Sequence, residues 1–456
     1  MRGGLVRPMG FFLFLLYLAL TFLRPAELFP QLESLHVMQI ASVLALAGAV
    51  FGMLGGRGPT LRAPQLYLVP LFILWAAFSV MVTQRWVGGF LNVIQDFRAS
   101  GLVFLLVVLS VNSMQRFRMT LAVLGALGVL IVGEGLAAYH YGWRSDIFLL
   151  SEPLDSDGQL SENTDEFETA EEEPDDQTAP TGPTLVRMRS LGFLNDPNDL
   201  AQALVVLLPL LIALRSPENR LKNLLLVWFP AMLLVYGVLL THSRGGLLAL
   251  LAILFLAFRQ RVGRLLSLVL SIAAALGLLA LGATGGRALS QDESGAGRIA
   301  AWSEGLEMLK SSPIWGVGFG SFTDHHENVA HNSFVHCFAE LGLVGYFVWL
   351  SLIVLTWTEL STLAAETADP PGNSLAPCAR AMRLAMVGFI VGAFFLSRGY
   401  GVLFFLVLGL GTALADIARR EGRIPLPSRP LLWLGRVGVL ELASIVLAWL
   451  TVRIIR

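Results

Sequence analysis

Along this chain, apolar residues gather in long unbroken runs separated by short polar breaks. The runs fall at roughly 36–54, 66–83, 89–111, 119–140, 199–215, 223–241, 245–258, 264–282, 333–357, 379–397, 401–417 and 430–452, with one more near the N-terminus. Most approach the ~17–25 residues that carry a helix across a bilayer. A barrel would instead alternate apolar and polar residues in ~10-residue segments, and these runs do not. The pattern predicts an all-α polytopic membrane protein of about 12–13 transmembrane helices, the short runs leaving room for pairing or re-entry. The first run, in MRGGLVRPMGFFLFLLYLALTFLRP, has the basic flank of a signal peptide but no small-residue cleavage site after it. It reads as a first transmembrane helix starting in the cytoplasm.

Positive charge orients these segments. Alternate loops carry Arg57 and Arg62, Arg116 and Arg118, Arg220 and Lys222, Arg259, Arg261 and Arg264, and Arg419, Arg420 and Arg423. Those loops belong to the cytoplasm, and the opposite side receives the two long loops, 141–198 and 283–332. The chain then divides into a transmembrane bundle over 1–140, the first outer loop, helices over 199–282, the second outer loop and helices over 333–456. The last run fits least well, because it leaves Arg453 and Arg456 outside. Either it re-enters or one earlier segment is misplaced.

Composition sharpens this picture. The 456 residues are 55% hydrophobic and only 14% charged, with a net charge of −1, where soluble proteins carry about 25% charged residues. Residues 151–178 alone hold about a third of the 33 acidic residues, so the rest of the chain is basic. This block has too little apolar surface to order itself and reads as a solvated linker on the outer side, or as a cation- or partner-binding tail. Cys337 and Cys378 lie in or beside apolar runs and suggest no disulfide framework.

The candidate chemistry collects on the outer side. After the acidic block, Arg189 stands before Asn195-Asp196-Pro197-Asn198-Asp199, a turn in which Asn198 or Asp199 can cap a helix starting at Leu200. A lone arginine at this level is either an interfacial anchor or a ligand clamp. Thr241-His242-Ser243-Arg244-Gly245-Gly246 joins two apolar runs almost without a spacer. Arg244 is therefore close to membrane depth, where charge is costly and faces a bundle interior or an aqueous cavity. The alternatives are a snorkelling arginine and an anion site.

The second outer loop is long, aromatic and glycine-rich. Ile299, Trp302, Leu306 and Leu309 mark one face of a short helix that either lies on the membrane or roofs the bundle, with Trp302 of the type that anchors at an interface. Pro313 ends it. Gly316-Val317-Gly318-Phe319-Gly320 lacks the context of a dinucleotide fingerprint. It is either a plain loop or a turn that brings backbone close to a ligand. His325-His326-Glu327-Asn328-Val329-Ala330-His331 has one residue too many for HExxH. On a helix His326 and His331 would stand roughly 140° apart, unable to share a metal, although Glu327 and His331 could meet. No nucleophile-elbow signature accompanies the histidines.

RSLGFLNDPNDLAQ, SRGG at a helix junction, GR before a tryptophan helix, PIWGVGFGSF, and HNSF followed by AELGLVG occur in this order. Over roughly 186–345 the chain thereby resembles the bacterial O-antigen ligase and polysaccharide polymerase family of membrane glycosyltransferases. The resemblance implies a GT-C-like membrane fold and transfer of a glycan from a polyprenyl-pyrophosphate-linked oligosaccharide donor to a glycan or lipid A core acceptor at the periplasmic face of the inner membrane. It implies His331 as the base and Arg189 and Arg244 as the pyrophosphate clamp, with Arg298 at a recurrent position and Asn332 and Trp302 beside the substrate. No metal or cofactor is expected. Implied partners are membrane lipids and the chain-length regulator and flippase proteins of such pathways, with no nucleic acid. The acidic block departs from the family's usual loop.

Arginine suits the task because it pairs phosphate oxygens in a fork and stays charged. Histidine, with an ordinary pKa near ~6.5, suits a sugar hydroxyl that needs only a base near neutrality. Two other classes stay open, a transporter and a catalytically silent assembly subunit. A transporter would favour broken helices and ionisable groups near the midplane, whereas these polar residues sit at one face. Polymerase, ligase and protein O-oligosaccharyltransferase differ by acceptor, which the residues do not identify.

Overall fold

The computed structural model describes residues 6–53, 63–153, 184–216, 218–280, 293–365, 375–424 and 430–455. Its helices in chain order are α1 (Val6–Leu23), α2 (Val37–Gly52), α3 (Gln65–Thr83), α4 (Val87–Ser110), α5 (Met114–Tyr141), α6 (Pro197–Ile212), α7 (Arg220–Leu240), α8 (Arg244–Val262), α9 (Arg264–Ala280), α10 (Glu293–Ser311), α11 (Ser333–Ala364), α12 (Leu375–Ala393), α13 (Val402–Arg420) and α14 (Pro430–Ile455). Each apolar run of the sequence coincides with one of them. Among the described residues eight are long and apolar enough to cross a membrane: α3, α4, α5, α7, α11, α12, α13 and α14. The chain is an all-α polytopic membrane protein.

The shorter helices have a physical reason to be short. α6 has 16 residues and so spans about 24 Å, less than the ~30 Å of a hydrocarbon core. It packs against α5, α7, α8 and α12, and nearly every side chain from Pro197 to Leu211 is buried. A helix wrapped by other helices need not match the lipid. α13 is equally enclosed from Val402 to Ala418. α1 and α2 pack backbone to backbone: a Cβ on Gly10 would stand 2.4 Å from the Gly48 carbonyl oxygen. Small residues permit this approach where lipid offers no hydrophobic drive.

Two sequence expectations need correction. The first outer loop is not wholly irregular. Leu149–Pro153 and Thr184–Met188 form an antiparallel pair, β1 and β2, with Leu149 opposite Met188 and Pro153 opposite Thr184. The first three residues of the acidic block therefore belong to a strand, and its remainder lies outside the described residues. The last run does not re-enter: α14 is one continuous helix packed on α11 and α10. The face of α10 bearing Trp302 and Leu309 is buried, with α11 beneath it. This helix roofs the bundle and does not float on lipid.

Candidate functional site

Three helices begin at one end of the bundle, and each has a polar cap. Asp196 Oδ1 accepts from the backbone N–H groups of Asn198 (2.6 Å) and Asp199 (3.3 Å) at the head of α6. The cap is thus Asp196, and the helix starts at Pro197 rather than Leu200, proline being suited to a first turn. Ser243 Oγ accepts from Gly246 at the head of α8, and Asn332 Oδ1 from Phe334 and Val335 at the head of α11. The 394–401 turn before α13 joins them. Phe395 packs where a Cβ on Gly245 would stand, 2.8 Å away, and Ser333 Oγ donates to the Leu396 carbonyl. Convergent helix N-termini make an end of the bundle that favours anions.

His331 sits immediately before the Asn332 cap. Its φ is +45°, an uncommon conformation for a residue other than glycine and one that concentrates at functional sites. Two neighbours hold it. Asn332 is buried and engaged as the cap. Trp302 is buried and its Nε1 donates to the Ala330 carbonyl at 3.0 Å. Trp302 is therefore no interfacial anchor and offers no free indole N–H to a substrate. It positions the residue before the histidine. His331 as a whole residue is exposed, yet protein crowds its ring. Lost solvation, reinforced by Arg298, holds its pKa below the ordinary histidine value, while Asp196 pulls the other way and His336 and Arg398 act with Arg298.

The glycine-rich turn serves α11 rather than a ligand. α11 is broken at Gly342, with φ +64° and ψ −171°. The break frees carbonyls, and the turn takes them up: Val317 N–H donates to Ala339 O at 2.9 Å and Gly318 N–H to Glu340 O at 3.0 Å. In return Leu343 N–H donates to Pro313 O at 2.8 Å. The strands of this clasp touch so closely that a Cβ on Gly316 would stand 2.3 Å from the Glu340 carbonyl oxygen. Behind His331 the buried Glu340 carboxylate accepts from Phe322 N–H, approaches His336 Nε2 at 3.3 Å and receives the Tyr400 hydroxyl at 3.5 Å. One side chain thus ties α11, the glycine turn and the 394–401 turn together. Residues 325–331 are turn and bend rather than helix, so the helical angle between His326 and His331 does not apply.

The arginines divide. Arg298 acts electrostatically on His331, and Arg244 opens the first turn of α8, next to the Gly245 that meets Phe395. Arg189 is tied elsewhere: its Nε and Nη2 donate to the carbonyls of Ile147 and Asp146, each at 3.0 Å. Its neighbour Arg187 is buried and built into the wall, donating to Thr241 O, Glu152 and Asn198. The sequence reading missed Arg398, whose Nε donates to Asp199 Oδ2 at 2.9 Å and whose side chain is 62% exposed. A signal was present: Ser397-Arg398-Gly399 repeats the Ser243-Arg244-Gly245 pattern, also between two apolar runs and on the same side.

Residues 229–350 match the family described as O-antigen ligase. That stretch contains Arg244, Arg298, Trp302, His331 and Asn332, and Arg189 precedes it. The chain is also 25% identical over 201 residues to the exopolysaccharide production protein ExoQ of Rhizobium meliloti (strain 1021). The alignment covers 37% of this chain and 43% of ExoQ, so the chain spans less than half of that relative's length. The matched stretch carries His331 and its surroundings, and over it the chain is similar to the O-antigen ligase family.

Proposed function

We propose that the protein transfers a glycan from a polyprenyl-pyrophosphate donor to a sugar hydroxyl at the periplasmic face of the inner membrane. The observation that carries this reading is His331: exposed, held in a strained conformation by Trp302 and Asn332, and set among cations at an anion-favouring end of the bundle. The acceptor oxygen attacks the anomeric carbon as the carbon–phosphate oxygen bond breaks, and a ring nitrogen of His331 takes the hydroxyl proton. The electron pair leaves with the pyrophosphate, whose charge Arg244 and Arg298 stabilise. Arg189 adds charge to the rim, with two of its donors already taken up by carbonyls. In-line attack inverts the anomeric centre. The donor's apolar tail lies among the helices, and its pyrophosphate reaches the arginines at their ends.

The test is purified protein with lipid-linked repeat units and candidate acceptors. Wild type is expected to transfer, and His331→Ala to lose transfer by at least ~10²-fold at normal protein levels, the scale of a lost general base. Near-normal transfer in that variant would overturn the reading. A ladder of lengths identifies a polymerase, a single addition to lipid A core a ligase, and addition to protein an oligosaccharyltransferase.

A further inference from the structure

Arg398 is the charge at this site that the sequence motifs did not single out, and its setting is asymmetric. Asp199 is buried with a side chain 7% exposed, while the arginine side chain is 62% exposed. Among the described residues its guanidinium makes one hydrogen bond, from Nε, and the rest of the fork is open. It acts electrostatically on both His331 and His336, and the neighbouring Gly399 lies against Ser333, two residues after His331.

A structural strut is the simpler account: a buried carboxylate needs a cation. One observation weighs against it. The turn that carries Arg398 is fixed without the ion pair. Ser333 binds the Leu396 carbonyl on one side, and on the other Trp349 Nε1 donates to Gly399 O at 2.9 Å while Tyr400 reaches Glu340. A tightly pinned turn that leaves its arginine fork open is preorganised for an anion, since little further ordering is needed on binding.

We infer that Arg398 is a binding residue for the pyrophosphate group of the lipid donor, with its open guanidinium edge taking phosphate oxygens while Asp199 orients it from the other edge. This rests on the transfer reading above, and the test separates the two. The full-length protein in detergent is titrated with undecaprenyl pyrophosphate, the leaving group alone, and with undecaprenol, which has the tail and no charge. Transfer is measured in parallel.

Arg398→Gln is expected to weaken undecaprenyl pyrophosphate binding at least tenfold and to leave undecaprenol binding unchanged. Asp199→Asn keeps an oxygen to accept from Arg398 Nε and so its orientation, but removes the competing negative charge, so it is expected to bind the pyrophosphate at least as tightly as wild type. Should Arg398→Gln not fold, Arg398→Lys keeps a point charge and loses the fork, and is expected to fall between the two. Equal pyrophosphate binding by wild type and the Arg398 variants overturns the inference. So does a loss in Asp199→Asn as large as in Arg398→Gln, which would make the pair a strut, or an equal loss for undecaprenol. Wild type that binds through Arg398 but transfers nothing would sink the transfer reading alone.

Discussion

His331 can act as a base only while its ring is neutral, and its neighbours decide when that is. Lost solvation and then Arg298 disfavour the charged ring, so its pKa lies below the ordinary value. The neutral form is competent, so activity is lost as pH falls through that lowered pKa. The acid limb of kcat/KM is therefore expected below about pH 6.5. Arg298→Gln removes a cation and should move the limb up. Asp196→Asn removes an anion, keeps a good helix cap, and should move it down. A limb that stays put in both variants would mean that another group controls the profile. The shift is read from the position of the limb, whatever the variants do to maximal rate. Arg244 and His331 were legible as residues because each stands at a break between apolar runs, where a charge has no bland reason to be. Arg398 stands at such a break too, but its weight comes from Asp199 and His331, which are far away in the chain.

At the scale of elements, the clasp between the glycine turn and the break in α11 ties the loop that carries His331 to that helix. Gly342 has φ +64°, and a Cβ there would stand 2.3 Å from the Ile314 carbonyl oxygen. Gly320 has φ +77° with nothing near a Cβ. The two separate conformational strain from collision. Gly320→Ala should cost only the backbone term, about 1–2 kcal/mol. Gly342→Ala adds a clash with backbone that cannot rotate away, and should lower the melting temperature in detergent clearly more. Equal losses would show that the clasp opens at little cost. Helix positions were legible here, since apolar length reports them directly. The break at Gly342 was not. Its sequence, AELGLVG, reads as an uninterrupted apolar helix, and only the carbonyls of Ala339 and Glu340 turning to the glycine turn reveal it.

The whole molecule has two polar ends with different purposes. The site end gathers partly exposed cations, whereas the other end carries a buried ion-pair network. Glu359 on α11 pairs with Arg419 on α13, both side chains under a tenth exposed, and Gln65 on α3 donates to Glu359 at 2.9 Å. Arg298, His331 and Arg398 group at the first of these ends. The unbroken run of α13 from Val402, beside the 394–401 turn, to Arg419 is roughly 25 Å at 1.5 Å per residue, so the network is remote from the site. Its role follows from what each removal leaves behind. Arg419→Leu strands a buried carboxylate and is expected to cost about 3–5 kcal/mol, whereas replacing both Glu359 and Arg419 with leucine removes the stranded charge and should recover most of that loss. Glycan transfer per folded molecule should be the same in wild type and both variants. Thermal unfolding and transfer assays on the same purified samples check both statements. A double variant as unstable as the single one would mean that the pair sets helix register rather than merely cancelling charge, and a fall in transfer would mean that the packing of α11 and α13 couples the two ends.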